Sequence, residues 1–318
     1  MRLDFAPMEG LTTSLFRQLH HEYFPGVDRY YIPFISPTKE HKFTAKDLRE
    51  ISPEYNEGIS AIPQLLSKVS DDVIWAVWKL QRMGYTEVNL NLGCPSGTVA
   101  AKKKGSGMLS DLQALDEYLY GIFAGVSCAI SVKTRLGVEN PEEFDAILEI
   151  YNRYPIHELI IHPRVRKDYY KHPVRIEDFE KALQKSRNPV CFNGSIVTAQ
   201  DFFECETRFP EVHSIMIGQG LVADPFLAGK IRHGTSSDAK TLREFHDRLF
   251  DGYTERFGDR NNAIRRMKEF WFYLIRSFSD SDSYGKDLLK ARDVDTYKQV
   301  VSSVFSNLTL LDDCPGGW

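Results

Sequence analysis

The sequence predicts an α/β fold in which a (β/α)8 TIM barrel is followed by a small C-terminal helical bundle. Short apolar runs alternate with amphipathic stretches up to about residue 233. Past about Gly234 the strand-like runs stop, and helical patterns follow Ser236. Such alternation is typical of parallel strands joined by helices, and eight strands close a barrel of this kind. We therefore expect a barrel domain over residues 1–235 and a helical domain over residues 236–318.

The predicted strands are short apolar runs bounded by turn-forming or polar residues. They are Leu3 to Ala6, Tyr30 to Ile35, Ala61 to Leu66, Val88 to Leu92, Ala129 to Thr134, Leu159 to His162, Val190 to Asn193, and Ser214 to Ile217. Among the helices between them, Asp72 to Met83 has one apolar face. Thr198 with Asp201 three residues later predicts a capped helix start. Asn140 before Pro141 predicts another, with Asn140 as the N-cap.

The last quarter of the chain predicts helices and a tail. The helical patterns are Leu242 to Phe257, Ala263 to Ser277, Tyr284 to Ala291, and Thr296 to Leu308. Four helices of this length are typical of a small bundle. Residues 312–318 contain aspartates and glycines, and we expect them to form a frayed tail.

The composition is that of a globular protein with a modest negative charge. The 318 residues are 42% hydrophobic and carry a formal net charge of -4, which argues against a uniformly basic nucleic-acid coat but permits a local basic patch. The five cysteines form no C-x-x-C pair, so we expect a reducing compartment. No signal-peptide pattern precedes the first strand, and no stretch reaches about 18 apolar residues. We expect a cytoplasmic monomer that does not span a membrane.

Cys94 lies in Gly93-Cys94-Pro95-Ser96, directly after a predicted buried strand. The carboxyl ends of barrel strands are where chemistry is done in this fold. A thiol there can supply a proton or act as a nucleophile if its surroundings adjust its pKa. The alternative is a small apolar core residue, which is the usual role of a free cysteine.

Polar residues and glycines follow most of the predicted strands. Lys133 on an apolar strand is costly unless it pairs with an anion or lines a site, so a structural ion pair is its alternative role. His162 is either a site residue or a satisfied core histidine. The candidates at these strand ends are Pro7, Met8, Glu9, Gln64, Asn91, Lys133, Arg135, His162, Arg164, Asn193, Gly194, Ser195, Gly218 and Gln219.

The loops after the last two strands predict a phosphate site. Gly218-Gln219-Gly220 begins a match to the dinucleotide pattern G-x-G-x-x-A, but it follows the last strand and an all-helical region comes next. This position excludes a Rossmann unit. In a barrel, the loops after strands seven and eight bind phosphate through backbone N–H groups, and here they are Asn193-Gly194-Ser195 and Gly218-Gln219-Gly220. We expect a phosphorylated cofactor.

Taken together, these segments resemble the tRNA-dihydrouridine synthases. The matching segments occur in the family's order and cover the barrel from Leu3 to about His233, and a C-terminal helical domain follows as in that family. They are Ala6 to Gly10, Asn91-Leu92-Gly93-Cys94-Pro95, Ser131 to Arg135, His162-Pro163-Arg164, Asn193-Gly194, and Met216-Ile217-Gly218. The resemblance implies a TIM-barrel flavoenzyme with FMN that reduces particular uridines in tRNA with electrons from NADPH. It also implies that residues 1–235 form the FMN-binding catalytic barrel and that residues 236–318 form a helical tRNA-binding domain.

The resemblance also implies roles for individual residues. Pro7, Met8 and Glu9 would line the flavin, Gln64 and Lys133 would contact its polar edge, and His162 would lie beside the ring. Asn193, Gly194, Ser195, Gly218 and Gln219 would hold the phosphate. Cys94 would be the acid that protonates the base, and Asn91, Arg135 and Arg164 would face the substrate.

The sequence departs from the family pattern at several positions. Gln219 replaces a common arginine, which removes a charged phosphate contact. Pro163 replaces a small residue and removes an N–H group, and Ser67 stands where a glycine is expected. The loop that includes Lys102-Lys103-Lys104 is more basic than the family pattern.

Basic clusters predict contacts with RNA phosphates. They are Lys102-Lys103-Lys104, the group Arg164, Arg166, Lys167 and Lys171, and the group Arg256, Arg260, Arg265, Arg266 and Lys268; Tyr169 and Tyr170 are candidates for stacking on bases. The alternative for each cluster is a solvated charged face. Two other functions remain open at this point: an FMN barrel acting on a small pyrimidine-like metabolite, and a flavin-less tRNA-binding barrel, which Gln219 and Pro163 favour.

Overall fold

The computed structural model describes residues 1–315, and within them eight parallel strands close into a barrel in sequential order. The strands are β1 (Arg2–Phe5), β2 (Arg29–Ile35), β3 (Ala61–Leu65), β4 (Glu87–Leu92), β5 (Ala129–Arg135), β6 (Leu159–His162), β7 (Val190–Asn193) and β8 (Ser214–Ile217). Ring closure pairs Phe5 of β1 with Ile217 of β8. The predicted barrel is confirmed, with each strand end within one residue of its expected position.

Helices connect the strands and continue beyond the barrel. They are α1 (Ser14–Tyr23), α2 (Ala45–Ile51), α3 (Ser70–Arg82), α4 (Gly97–Ala100), α5 (Leu112–Gly125), α6 (Glu143–Tyr151), α7 (Ile176–Lys185), α8 (Ala199–Arg208), α9 (Gln219–Ala223), α10 (Leu227–His233), α11 (Ala239–Phe257), α12 (Arg260–Leu274), α13 (Asp282–Lys290) and α14 (Val294–Asn307). Short 3₁₀ segments cover Pro53–Asn56, Gly105–Ser110, Arg166–Asp168 and Ile275–Ser277. The helical C-terminal region is therefore confirmed.

The predicted helix starts were right in one case and wrong in the other. Thr198 and Asp201 form a reciprocal capping box at the start of α8, as expected. Helix α6 begins at Glu143, whereas the sequence predicted a start at Pro141 with Asn140 as the N-cap. The Glu143 carboxylate accepts hydrogen bonds from the N–H groups of Val138, Glu139 and Asn140. These bonds fold the preceding segment over the helix end as a turn, so Asn140 does not act as the cap.

A buried ion-pair cluster lies at the amino-terminal end of the barrel strands. The Arg2 guanidinium donates to Asp4 at 2.9 Å and to Glu158 at 2.6 Å, and the Ser214 hydroxyl donates to Glu158 at 2.7 Å. Burial raises the pKa of Asp4 to about 6, although Arg2 opposes the shift. Because bound partners satisfy these charges, this end is structural, in contrast to the open carboxyl ends.

The C-terminal helices pack on the barrel through α1. The Phe245 ring contacts Phe16 and Phe24, with ring centroids 5.8 and 5.0 Å apart. Arg256 forms a mostly buried ion pair with Glu50 at 2.8 Å. The buried apolar cluster runs without a break from the barrel into this region. Helices α11 and α12 are thereby held in a fixed position beside the barrel.

The expected frayed tail is wrong for the part that the structure describes. The Cys314 side chain is only 2% exposed, and Lys230 donates a hydrogen bond to the carbonyl oxygen of Asp312. Residues 316–318 lie outside the described residues. Between Met1 and Pro315, no helix has the length and hydrophobicity needed to cross a membrane.

Candidate active site

Neighbouring clefts open at the carboxyl ends of the strands. The Gly218 cleft is bordered by the loops after β7 and β8, and the Cys94 cleft is bordered by the ends of β3, β4 and β5. Pro7, Met8, Lys133 and His162 line both clefts. One elongated ligand can therefore occupy the two together.

The structure places every predicted site residue in one of these clefts. Asn193, Gly194, Ser195, Gly218, Gln219 and Arg164 line the Gly218 cleft, and Glu9, Gln64, Asn91, Cys94 and Arg135 line the Cys94 cleft. Arg164 was expected on the substrate side, but it lies with the predicted phosphate loops instead. Its guanidinium is held there by the Ser195 hydroxyl at 2.9 Å and the His172 carbonyl at 2.5 Å.

The turn that carries Cys94 is fixed by hydrogen bonds to its backbone. The Asn91 side-chain oxygen accepts from the N–H groups of Cys94 at 2.9 Å and Gly93 at 3.2 Å. Ser106 donates its hydroxyl and its N–H to the Cys94 carbonyl oxygen. The backbone is therefore held rigidly while the side chain stays partly exposed in the cleft.

The Cys94 side chain remains a thiol at neutral pH. Burial raises the pKa of Cys94 above its ordinary value of 9.0, although the positive charges of Arg135 and Lys133 act in the opposite direction. A nucleophilic cysteine needs a lowered pKa, whereas a proton donor must keep its proton until transfer. The surroundings of Cys94 therefore favour the role of an acid.

A ladder of side-chain amides lies beneath the Cys94 turn. The Gln64 amide group donates to the Asn89 oxygen at 2.8 Å, and the Asn91 amide group donates to the Gln64 oxygen at 2.8 Å. Asn89 in turn donates to the Ser131 hydroxyl at 3.0 Å. Because each amide is oriented by the next, Gln64 presents a fixed edge to the cleft. Asn91 therefore supports the turn that carries Cys94. The sequence predicted only contact with the substrate for this residue.

Lys133 is a half-buried cation without a counter-ion among the described residues. Burial, with a contribution from the Arg135 charge, lowers the pKa of Lys133 to about 8. No residue in the described range 1–315 pairs with its ammonium group or accepts a hydrogen bond from it. The alternative of a structural ion pair is therefore wrong. A cation held in this way favours a bound anion or an electron-rich polar edge in the clefts.

Arg135 is used mainly to hold backbone. Its guanidinium donates to the carbonyl oxygens of Gly93, Val165 and Tyr169 at 3.0–3.1 Å. It also lies 5.4 Å from the centroid of the Tyr170 ring. Arg135 thus connects the Cys94 turn to the loop after β6, and that loop places Tyr170 over the clefts.

His162 is neutral in these surroundings. Its Nε2 atom accepts a hydrogen bond from Arg164 at 2.9 Å, so the ring proton is on Nδ1. Burial and the nearby charges of Arg135, Lys133 and Arg164 lower the pKa of His162 well below its usual value. The ring can therefore donate one hydrogen bond through Nδ1 without adding positive charge.

The glycine loops come closer to neighbouring atoms than any side chain would allow. A Cβ atom on Gly220 would lie 2.3 Å from the Ile196 carbonyl oxygen, and one on Gly194 would lie 2.7 Å from Val174 Cγ1. Ser195 follows in the left-handed region, with φ of 47°. The N–H groups of Gln219 and Gly220 precede the first hydrogen bond of α9.

The Gly218 cleft is suited to a phosphate group. Backbone N–H groups and the Arg164 guanidinium border it, and Lys133 stands where it meets the Cys94 cleft. No carboxylate from the described residues lines it. Donors without competing negative charge are the chemistry that a phosphate needs.

The model of the dihydrouridine synthase family matches residues 4–307 of this chain, which is nearly its whole length. The chain belongs to this family. It is an enzyme of a group of flavin-dependent tRNA-modifying enzymes built on the TIM barrel.

Proteins with similar sequences carry names from the same family. A probable tRNA-dihydrouridine synthase of Staphylococcus aureus is 26% identical over 91% of this chain and 88% of its own. A probable tRNA-dihydrouridine synthase 1 of Synechocystis sp. is 30% identical over 75% of this chain and 68% of its own. Among solved structures, a morphinone reductase mutant in complex with tetrahydroNAD has a TM-score of 0.53 at 10% identity, covering 76% of this chain and 90% of its own. That similarity shows the fold.

The C-terminal region of the chain contributes a residue that the sequence did not reveal. Tyr273 of α12 lines the Cys94 cleft and hydrogen-bonds the side chain of Gln219. Only tertiary packing brings this helix to the cleft, so no local pattern marks Tyr273. Tyr170, expected to stack on RNA bases, lines both clefts and lies 5.9 Å from the His162 ring.

The residues that depart from the family pattern make local contacts. Gln219 has a partner in Tyr273, and Arg164, which belongs to a segment that matches the family, places a guanidinium at the same cleft. The Ser67 hydroxyl accepts from the N–H of Val69 at 3.1 Å. The Pro163 carbonyl oxygen accepts from the N–H of Arg175 at 2.7 Å, a contact that does not replace the missing N–H of Pro163.

Proposed function

We propose that the protein binds FMN across the two clefts and uses NADPH to reduce specific uridines in tRNA to 5,6-dihydrouridine, with Cys94 as the proton donor. The observation that carries this proposal is the position of the un-ionised Cys94 thiol. It faces a cleft that shares walls, including Lys133, with the Gly218 cleft, whose lining of N–H groups and Arg164 suits an anion. Family membership supports the reaction class.

The residues present fit FMN. The phosphate would be held by the N–H groups of the Gly194 and Gly218 loops, because both loops line the Gly218 cleft and α9 begins directly after Gly218. Arg164 would supply the charged contact that Gln219 lacks. The unpaired Lys133 ammonium and the oriented Gln64 amide would face the polar edge of the ring. The remaining walls would be Pro7, Met8, Glu9, His162, Asn193 and Ser195.

The chemistry assigned to this chain is the delivery of one proton. A bound reduced flavin supplies hydride to one carbon of the uracil double bond. The other carbon must receive a proton, and Cys94 Sγ supplies it, after which the thiolate regains a proton from solvent. Asn91 holds the backbone of Cys94 so that the thiol stays at one position over the cleft.

The uridine must leave its stack to reach this thiol. Extruding a base costs a few kcal/mol, and contacts outside the cleft must offset that cost. Arg135 and Tyr170 lie at the wall of the Cys94 cleft, where an extruded base would enter. We propose residues 236–318 as a helical domain that completes this entrance through Tyr273.

Purified protein and total tRNA lacking dihydrouridine test the proposal. The protein should be yellow and release FMN on denaturation. With NADPH it should form dihydrouridine at defined positions, mapped by mass spectrometry, and NADH in parallel would define the reductant. A colourless protein that binds tRNA would instead support the flavin-less barrel. A yellow protein that reduces a free pyrimidine but not tRNA would support the small-metabolite enzyme.

A further inference from the structure

Lysines gather on barrel loops at one side of the Cys94 cleft. Lys39 and Lys42 lie between β2 and α2, Lys68 lies between β3 and α3, and Lys102 to Lys104 follow α4. All are exposed except Lys104, which is half-buried. We call these six residues the lysine rim.

We propose that the lysine rim binds the RNA phosphates next to the extruded uridine. This inference rests on the proposed function, because it names the surface that the tRNA would use. The chain carries a net charge of -4, so attraction of RNA requires a local concentration of positive charge. The loops with the lysine rim provide one, although Glu40, Asp71 and Asp72 lie among them.

Asp72 of α3 joins the loops that carry the lysines. His41 Nε2 lies 3.4 Å from the Asp72 carboxylate, and the His41 ring stacks on Trp75 with centroids 5.3 Å apart and planes at 8°. Phe43 contacts the same Trp75 ring at 4.9 Å. Lys42 lies between two aromatic anchors, so its loop has a defined position on α3.

Lys104 lies beside the same aspartate. Burial and the positive charges of Lys102 and Lys68 lower the pKa of Lys104, while Asp72 opposes the shift. These interactions show that the loops after β3 and β4 approach each other. Lys103 adopts a left-handed conformation, as His41 does, and such conformations persist only where the surroundings fix them.

The lysine rim is directly connected to the active site. Lys104 is followed by Gly105, where a Cβ atom would lie 3.0 Å from the Cys94 Cβ. Ser106, the next residue, donates hydrogen bonds to the Cys94 carbonyl oxygen. A base that reaches Cys94 would therefore have its neighbouring phosphates close to these lysines.

The lysines also differ in their availability from several cations of the other predicted basic clusters. Within residues 1–315, no carboxylate pairs with a lysine of the rim. By contrast, Lys167 pairs with Glu139, Arg256 pairs with Glu50, Arg266 pairs with Glu269, and Lys268 donates to backbone carbonyl oxygens. A cation already engaged must break its contacts to bind phosphate, so the rim offers phosphate less costly contacts than these cations do. Arg166, Lys171, Arg260 and Arg265 pair with no carboxylate of the described residues and remain additional candidates.

A pair of double variants separates this surface from a general charge effect. The test variant is Lys42→Gln with Lys102→Gln. The control is Lys181→Gln with Lys185→Gln, which removes the same charge from exposed positions on α7. The dissociation constant for total tRNA lacking dihydrouridine is measured from 50 to 200 mM salt, with FMN content and flavin reduction by NADPH as checks on the fold.

The test variant should bind tRNA more weakly, and its salt slope should fall by roughly 0.7–0.9 for each lysine that contacts a phosphate. The control should keep the wild-type slope, and both variants should keep FMN. Equal slopes for the test variant and the wild type, or equal losses in both double variants, would overturn the lysine rim as the binding surface. A wild-type protein that fails to bind tRNA at any salt would overturn the proposed function itself.

Discussion

Lys133→Met is expected to stabilise the flavin-free protein while weakening its affinity for FMN. Burial lowers the pKa of Lys133 from 10.5 to about 8, so the folded protein disfavours the charged form that is present at pH 7. These two pKa values differ by about 2.5, which at about 1.36 kcal/mol for each pKa unit corresponds to about 3 kcal/mol of unfolding free energy. The ammonium faces an open cleft, so this value is an upper limit. Methionine has a similar length and carries no charge.

The effect should depend on pH in a defined direction. Because the folded-state pKa lies below the unfolded one, the unfolded chain binds more protons between about pH 8 and 10.5. The unfolding free energy of the wild type should therefore rise across that window, and the advantage of Lys133→Met should shrink. The affinity for FMN should fall as stability rises. Wild-type affinity should fall roughly tenfold from pH 7 to 9, because Lys133 loses its proton over this range. Lys133→Met should show no such fall.

Urea unfolding of flavin-free protein and fluorescence titration with FMN measure the two quantities. Lys133→Arg serves as a control that keeps the positive charge. At neutral pH it should not show the gain in unfolding free energy that is expected for Lys133→Met. If Lys133→Met is less stable than the wild type at pH 7, or binds FMN equally well, Lys133 has a structural role and the reasoning is refuted.

Two further substitutions test the other parts of the account. Gly194→Leu should abolish FMN occupancy, measured as flavin absorbance per protein, because its Cβ atom alone would lie 2.7 Å from Val174 Cγ1; full occupancy in a folded variant would contradict the phosphate position. Arg256→Met should lower the unfolding free energy by roughly 1.5–3 kcal/mol, because it removes one charged hydrogen bond to Glu50, which keeps Arg17 as a partner. It should leave the salt slope of tRNA binding unchanged, and a smaller slope would return Arg256 to the RNA surface.

The barrel was predictable because each strand is a short apolar run that is bounded by turn residues. The residues of both clefts were predictable for a related reason: carboxyl ends of parallel strands meet at one end of a barrel, so Gln64, Lys133 and His162 converge whatever the helices do. Cys94 and Gly218 follow the same logic. Local sequence and topology were sufficient for these positions.

Other features depend on contacts between distant segments. The start of α6 moved because the Glu143 side chain accepts hydrogen bonds from the turn that precedes it, and a strong Asn-Pro signal did not reveal this. Tyr273 reaches the Cys94 cleft only because α12 packs on the barrel. Arg256 belongs to a basic cluster in the sequence, but its partner Glu50 is 206 residues away along the chain. Charge patterns show where cations are, and the fold decides which of them are already paired.

Single-turnover oxidation of the reduced flavin by tRNA measures the step that we assign to Cys94. In Cys94→Ala, FMN content and reduction by NADPH should match the wild type, because neither uses the thiol, and the stability loss should be about 1 kcal/mol or less. Oxidation by tRNA should slow by roughly 10²–10⁴-fold, the usual contribution of a general acid. A near wild-type rate of oxidation by tRNA would contradict the role of Cys94 as the proton donor.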